Sequence, residues 1–111
     1  MKILTFIFLT AISLIVSSQS LKEEINEQVW IPFTKAWESN NGEAFNAIHA
    51  DDVWRINPGR LLVGDEYKNR NKEKMQSQPK GQIIEFSFET RTANGDNAYE
   101  VGYYRITPNY A

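Results

Sequence analysis

Ile48-His49-Ala50-Asp51-Asp52-Val53-Trp54-Arg55-Ile56-Asn57-Pro58-Gly59 is the stretch on which the reading of the fold turns. An apolar helical pattern stops at a pair of acids, and the chain at once begins to alternate as a short strand. From Val53 to Asn57 the alternation sets Val53, Arg55 and Asn57 on one side and Trp54 and Ile56 on the other. Pro58-Gly59 then ends the strand in a turn. Five polar residues able to meet a ligand, His49, Asp51, Asp52, Arg55 and Asn57, fall within nine positions of one another.

Upstream of this junction, Leu21, Ile25, Val29, Phe33 and Trp37 recur at a spacing of four, with Trp30 and Ala36 widening the stripe, which predicts an amphipathic helix from Ser20 to the Asn40-Asn41-Gly42 stop. Ser20 with Glu23 three residues on has the form of a capping box. Pro32 lies inside the pattern. It lacks an amide proton and crowds the carbonyl four residues back, so a kink or break is expected near Gln28. Trp30, Phe33 and Trp37 read as core rather than as a ligand cage. A shorter helix, Glu43 to about His49, buries Phe45 and Ile48.

Downstream, a weakly amphipathic helix fits Gly64 to about Gln78, with Tyr67 and Met75 turned inward and Pro79-Lys80-Gly81 closing it. Its charges, Lys68, Arg70, Lys72 and Lys74 among Asp65, Glu66 and Glu73, read as a solvated face and are too interleaved for a phosphate-binding stripe, which argues against nucleic acid as a partner. Gln82 to Thr92 alternates cleanly, Ile84, Phe86 and Phe88 against Glu85, Ser87 and Glu89. The turn-forming run Ala93 to Asn97 predicts an antiparallel hairpin with Ala98 to Thr107. The expected order is helix, helix, strand, helix, strand, strand.

The first twenty residues stand apart. Lys2 precedes fourteen uncharged residues, Ile3 to Val16, and then the small polar run Ser17-Ser18-Gln19-Ser20, the layout of a secretory signal. Fourteen is short of the roughly 20 apolar residues needed to cross a bilayer, so no stable membrane anchor is expected after cleavage. The expected localisation is exported, periplasmic or extracellular. Residues 21–111 then form one small domain, with 11 Lys plus Arg against 14 Asp plus Glu and a net charge of −3. Without cysteine it has no disulfide and no thiolate metal site. One histidine with scattered carboxylates makes no metal set, and no cofactor is implied.

Ala50-Asp51-Asp52 leading into a strand that ends Asn57-Pro58, then a helix, then a hairpin carrying Ala98-Tyr99-Glu100-Val101-Gly102-Tyr103-Tyr104, resembles the nuclear transport factor 2-like superfamily, nearest its SnoaL-like, bacterial branch. The resemblance spans about Leu21 to Thr107. It implies an α+β fold in which a strongly curved antiparallel sheet forms a cone around the long N-terminal helix and leaves a pocket at the wide end. Gly102 within a strand suits such curvature. It also implies two further strands after Thr107, so the expectation is a domain truncated at its C-terminus. Ketosteroid isomerases of this superfamily need a carboxylate base and a tyrosine hydroxyl. The matching positions here are Asn57 and the vicinity of Phe33, so that chemistry is not expected.

The resulting functional expectation is an exported domain whose pocket, lined by Trp37, Arg55, Asn57 and Tyr104, holds a small organic molecule with an apolar body and a polar or acidic end. Arg55 either pairs with an internal glutamate or awaits an anion. An enzyme of the same architecture, a hydrolase or isomerase with His49 or Asp52 carrying the proton, is the alternative. A homodimer through the outer sheet face is a third reading.

Overall fold

A computed structural model describes residues 20–109; the signal-like segment 1–19 lies outside the described residues. The chain is α+β. Helical residues 20–25 run into a π-helical turn, Asn26–Trp30, and on into α1, Ile31–Glu38. After α1 come α2 (Gly42–Ala47), β1 (Trp54–Asn57), β2 (Arg60–Val63), α3 (Asp65–Ser77), β3 (Ile83–Asn94) and β4 (Asn97–Thr107). No helix of the described residues is long and apolar enough to cross a membrane.

Pro32 does not break the helix. The backbone widens by one residue instead, with the Ile31 amide bonding the Asn26 carbonyl five positions back, so the proline ring is accommodated at the start of α1. The turn also aims Trp30 at the β3–β4 hairpin. Its ring centroid lies 4.8 Å from that of Phe86 and 5.2 Å from that of Phe88, and its indole nitrogen donates to Glu100 Oε1 at 2.7 Å. Glu100 also pairs with Arg91, whose guanidinium donates to Asn26 Oδ1 at 2.6 Å. The four side chains clasp the leading helix to the hairpin.

Asn40, at φ 54°, ends α1, and its side-chain amide donates to the carbonyls of Met75 (3.1 Å) and Gln78 (3.0 Å), closing the C-terminus of α3. Asn41 caps α2 by accepting from the Ala44 amide at 3.0 Å. Between α2 and α3 the buried Asn46 donates to the Lys68 carbonyl at 2.8 Å and accepts from Asn71 at 3.0 Å, which satisfies two amides that burial would otherwise penalise. Around these ties the apolar core gathers Ala36, Trp37, Phe45, Met75 and Ile84, with Phe33, Phe86 and Ile106 packed against it.

The expected order lacked β2. Pro58-Gly59 does not merely end a strand: with Gly59 at φ 76° it forms a two-residue turn that returns the chain antiparallel, pairing Trp54 with Val63, Arg55 with Leu62, Ile56 with Leu61 and Asn57 with Arg60. The strands of the described residues form two separate hairpins, β1–β2 and β3–β4, where the resemblance implies one continuous curved sheet. The long hairpin bends. Phe88 pairs with Gly102 and Thr90 with Val101, leaving Glu89 as the extra residue of a bulge.

Candidate functional site

The two hairpins, the α1–α2 corner and one face of α3 enclose an open cavity of about 860 Å³. Its apolar floor is Trp30, Phe33, Trp37 and Phe45 from the helices, with Ile84, Phe86 and Ile106 from β3–β4. Packing fixes these rings. Phe33 meets Phe45 edge-on at 4.6 Å and Phe86 at 5.4 Å, so the floor is the cavity side of the core itself.

Trp37, Arg55, Asn57 and Tyr104, the residues singled out from the sequence, all line this cavity, and His49 joins them. The register accounts for this. Arg55 and Asn57 are two apart on β1, and opposite them on β2 stand Leu62 and Arg60, so one face of the hairpin carries Arg55, Asn57, Arg60 and Leu62 toward the cavity. Tyr104 pairs with Phe86 across β3–β4, and the two line the cavity together. Phe33 and Asn57 are both on the wall, as a phenyl ring and an amide.

Asp52 does not reach the cavity. It is exposed in the turn before β1, beside Asp51, which pairs with Lys68 at 3.4 Å, and it is not among the residues that line the cavity. Helix α3, read from the sequence as a solvated face apart from Tyr67 and Met75, lends Tyr67, Arg70, Asn71, Lys74 and Ser77 to the wall. Their spacing of three and four marks one helix face. The signal was present, but charge at Arg70 and Lys74 hid it. Arg60 was missed along with β2.

His49 sits among Phe45 (4.9 Å between ring centroids), Tyr67 (5.4 Å) and Phe33 (6.3 Å). Nδ1 lies 2.8 Å from the Phe45 carbonyl oxygen, which can only accept, so the neutral ring carries its proton on Nδ1 and leaves the Nε2 lone pair free. Burial pushes its pKa below the ordinary 6.5. The bond to the Phe45 carbonyl opposes that shift, and the charges of Lys68 and Arg55 add to it.

The Trp37 indole nitrogen is buried and meets no acceptor among the described residues. Lys74 lies over that ring, its ammonium 5.2 Å from the centroid. Among the described residues no group of three or more His, Cys, Asp or Glu converges as a metal site. The sequence matches no protein-family model and none of the curated proteins.

Proposed function

We propose that this protein is an exported small-ligand-binding domain of nuclear transport factor 2-like architecture, and that its cavity takes a small organic molecule with an apolar body and a polar end. The observation that carries the reading is the orientation of β1–β2. This hairpin turns Arg55, Asn57 and Arg60 toward the cavity and leaves Ile56, Leu61 and Val63 outward, Ile56 69% and Leu61 52% exposed. Folding alone favours the opposite arrangement, because apolar side chains gain by leaving water, whereas Arg55, Asn57 and Arg60 stay exposed and gain nothing from the inner face. A polar inner face over an aromatic floor has its use when a molecule with both characters lies between them. The architecture is supported by the helix–hairpin order and by the bulge that bends β3–β4 opposite Gly102. Export is supported by the signal-like layout of residues 1–20.

The chain's three tryptophans, Trp30, Trp37 and Trp54, all line the cavity, so their emission reports on its contents. Titration with the neutral apolar probe N-phenyl-1-naphthylamine is expected to saturate at one molecule per chain, with energy transfer from tryptophan. Ile106→Trp, which fills the floor, is expected to abolish binding while the protein stays folded. Unchanged binding in that variant refutes the assignment of the site.

One observation favours a second reading. The free Nε2 of His49 on the wall is the group that a proton-transfer enzyme would use, as a weak base given its lowered pKa. Turnover of any bound molecule that disappears in His49→Gln, with binding retained, would establish it. Binding unchanged and no turnover in either form would exclude it.

A further inference from the structure

The chain has five arginines, and they divide by position. Arg91 and Arg105, outside the cavity, each hold a glutamate: Glu100 for the first, and Glu85 at 2.6 Å for the second. Arg55, Arg60 and Arg70, all on the cavity wall, form no ion pair with any described residue. With Lys74 they set four cations around the opening against one carboxylate, Glu73, leaving three unbalanced positive charges on the wall of a chain whose net charge is −2. A protein with acids to spare has placed none of them against these guanidinium groups.

From this segregation we infer that the molecule bound in the cavity is an aromatic carboxylate, its ring laid on the Trp30, Phe33 and Phe86 floor and its anionic end held by the arginines of β1–β2 and α3. The inference rests on the reading of the cavity as a ligand site and adds the charge and ring character of what enters it. Guanidinium groups match a carboxylate with two parallel N–H donors. Arg55 and Arg60 stand on the same face of adjacent paired strands, and Arg70 comes from α3, which packs against β2, so the three line one cavity from two elements. A cationic ligand would meet this rim with repulsion. A neutral one would gain the floor but leave the guanidinium groups to water.

The test uses three ligands that share one ring system: 2-naphthoate, 2-naphthamide and 2-naphthylmethylammonium, titrated against tryptophan emission of the mature protein. Naphthoate is expected to bind about tenfold or more tighter than the amide, the gain a charge-assisted contact brings, and the ammonium weakest of the three. The preference should shrink as salt rises from about 0.05 to about 0.5 M, because the cations are solvent-exposed and screened. Arg55→Gln and Arg70→Gln should each weaken naphthoate severalfold while leaving the amide within about twofold, whereas Arg105→Gln, on the outer face, should change neither. Should either cavity variant fail to fold, the ligand series and its salt dependence on the unaltered chain decide the matter. Equal affinity for acid and amide, or a preference untouched by salt, overturns the inference and leaves the cavity reading standing. No response to any of the three ligands overturns both.

Discussion

Gly102→Ala tests the bend on which the cavity's far wall depends. A methyl group built at this position would lie 2.9 Å from Phe88 Cα and 3.0 Å from the Ser87 carbonyl carbon, and nearer still to the Ser87 oxygen. All three atoms are backbone of the paired strand, so no side-chain rotation relieves the clash. The strands must part by several tenths of an ångström just where the bulge at Glu89 curves β3. Overpacking that only backbone movement can relax costs about 2 kcal/mol, which for a domain of this size lowers Tm by about 8–16 °C. Gly95→Ala supplies the contrast. Nothing lies within 4 Å of the added methyl, but φ is 58°, so the cost is the left-handed conformation alone, about 1 kcal/mol. Differential scanning fluorimetry of the two variants beside the parent should rank Gly102→Ala below Gly95→Ala, with both below the parent. Because Phe86 and Tyr104 sit two pairs further along from the strained point, Gly102→Ala should also weaken probe binding in the cavity. A Tm for Gly102→Ala within about 2 °C of the parent would refute the close pairing and, with it, the bend.

Three further outcomes follow from the packing and the polar ties. Met75→Ala, at a site only 2% exposed, should cost about 3 kcal/mol in urea denaturation, the transfer term plus an uncollapsed cavity. Glu100→Gln, which strips the charge that Arg91 and the Trp30 indole both meet, should cost about 1–2 kcal/mol, while Glu85→Gln, whose pair with Arg105 is solvent-facing, should cost less than about 0.5 kcal/mol by the same assay. His49 has its folded pKa below the unfolded one, so the unfolded state binds its proton more readily: the contribution is complete above pH 6.5 and is lost as pH falls below that value. Stability measured at about pH 7.5 and about pH 5 should therefore drop on acidification, and the drop should be smaller in His49→Gln.

The parts of the fold legible in the sequence are those where burial and periodicity agree. Ile84, Phe86 and Phe88 alternate with Glu85, Ser87 and Glu89, and β3 faces the core accordingly. The Asn-rich stop after α1 is equally plain, since Asn40 adopts the positive φ that its residue type tolerates. Strand β2 was not legible. Leu61-Leu62-Val63 is a continuous apolar run with no alternation, because Leu62 goes to the core while Leu61 and Val63 go to water, and the turn before it reads as a terminator as easily as a reversal. For the cavity, strand parity placed Arg55 and Asn57 correctly on one face, and the packing that brings Tyr104 to the same hollow lay beyond local pattern. Arg70 and Lys74 were hidden for a physical reason: a charged side chain on a cavity wall and one in bulk water leave the same mark in a helical repeat.

The β1–β2 hairpin is fastened to the rest of the molecule chiefly through β2 against α3, through the buried Leu62, and through the Gly64 amide bonded to the Val53 carbonyl at 2.8 Å. Those are few anchors for a wall whose outer surface is greasy and wet. Such a flap opens locally at a small fraction of the global unfolding free energy, and anything that bridges Arg55 to α3 must close it. Occupancy and closure then become one equilibrium: amide protons along Trp54–Val63 should exchange quickly in the empty protein and slowly in the filled one, and the free energy spent on ordering the flap sets how tightly any guest is kept.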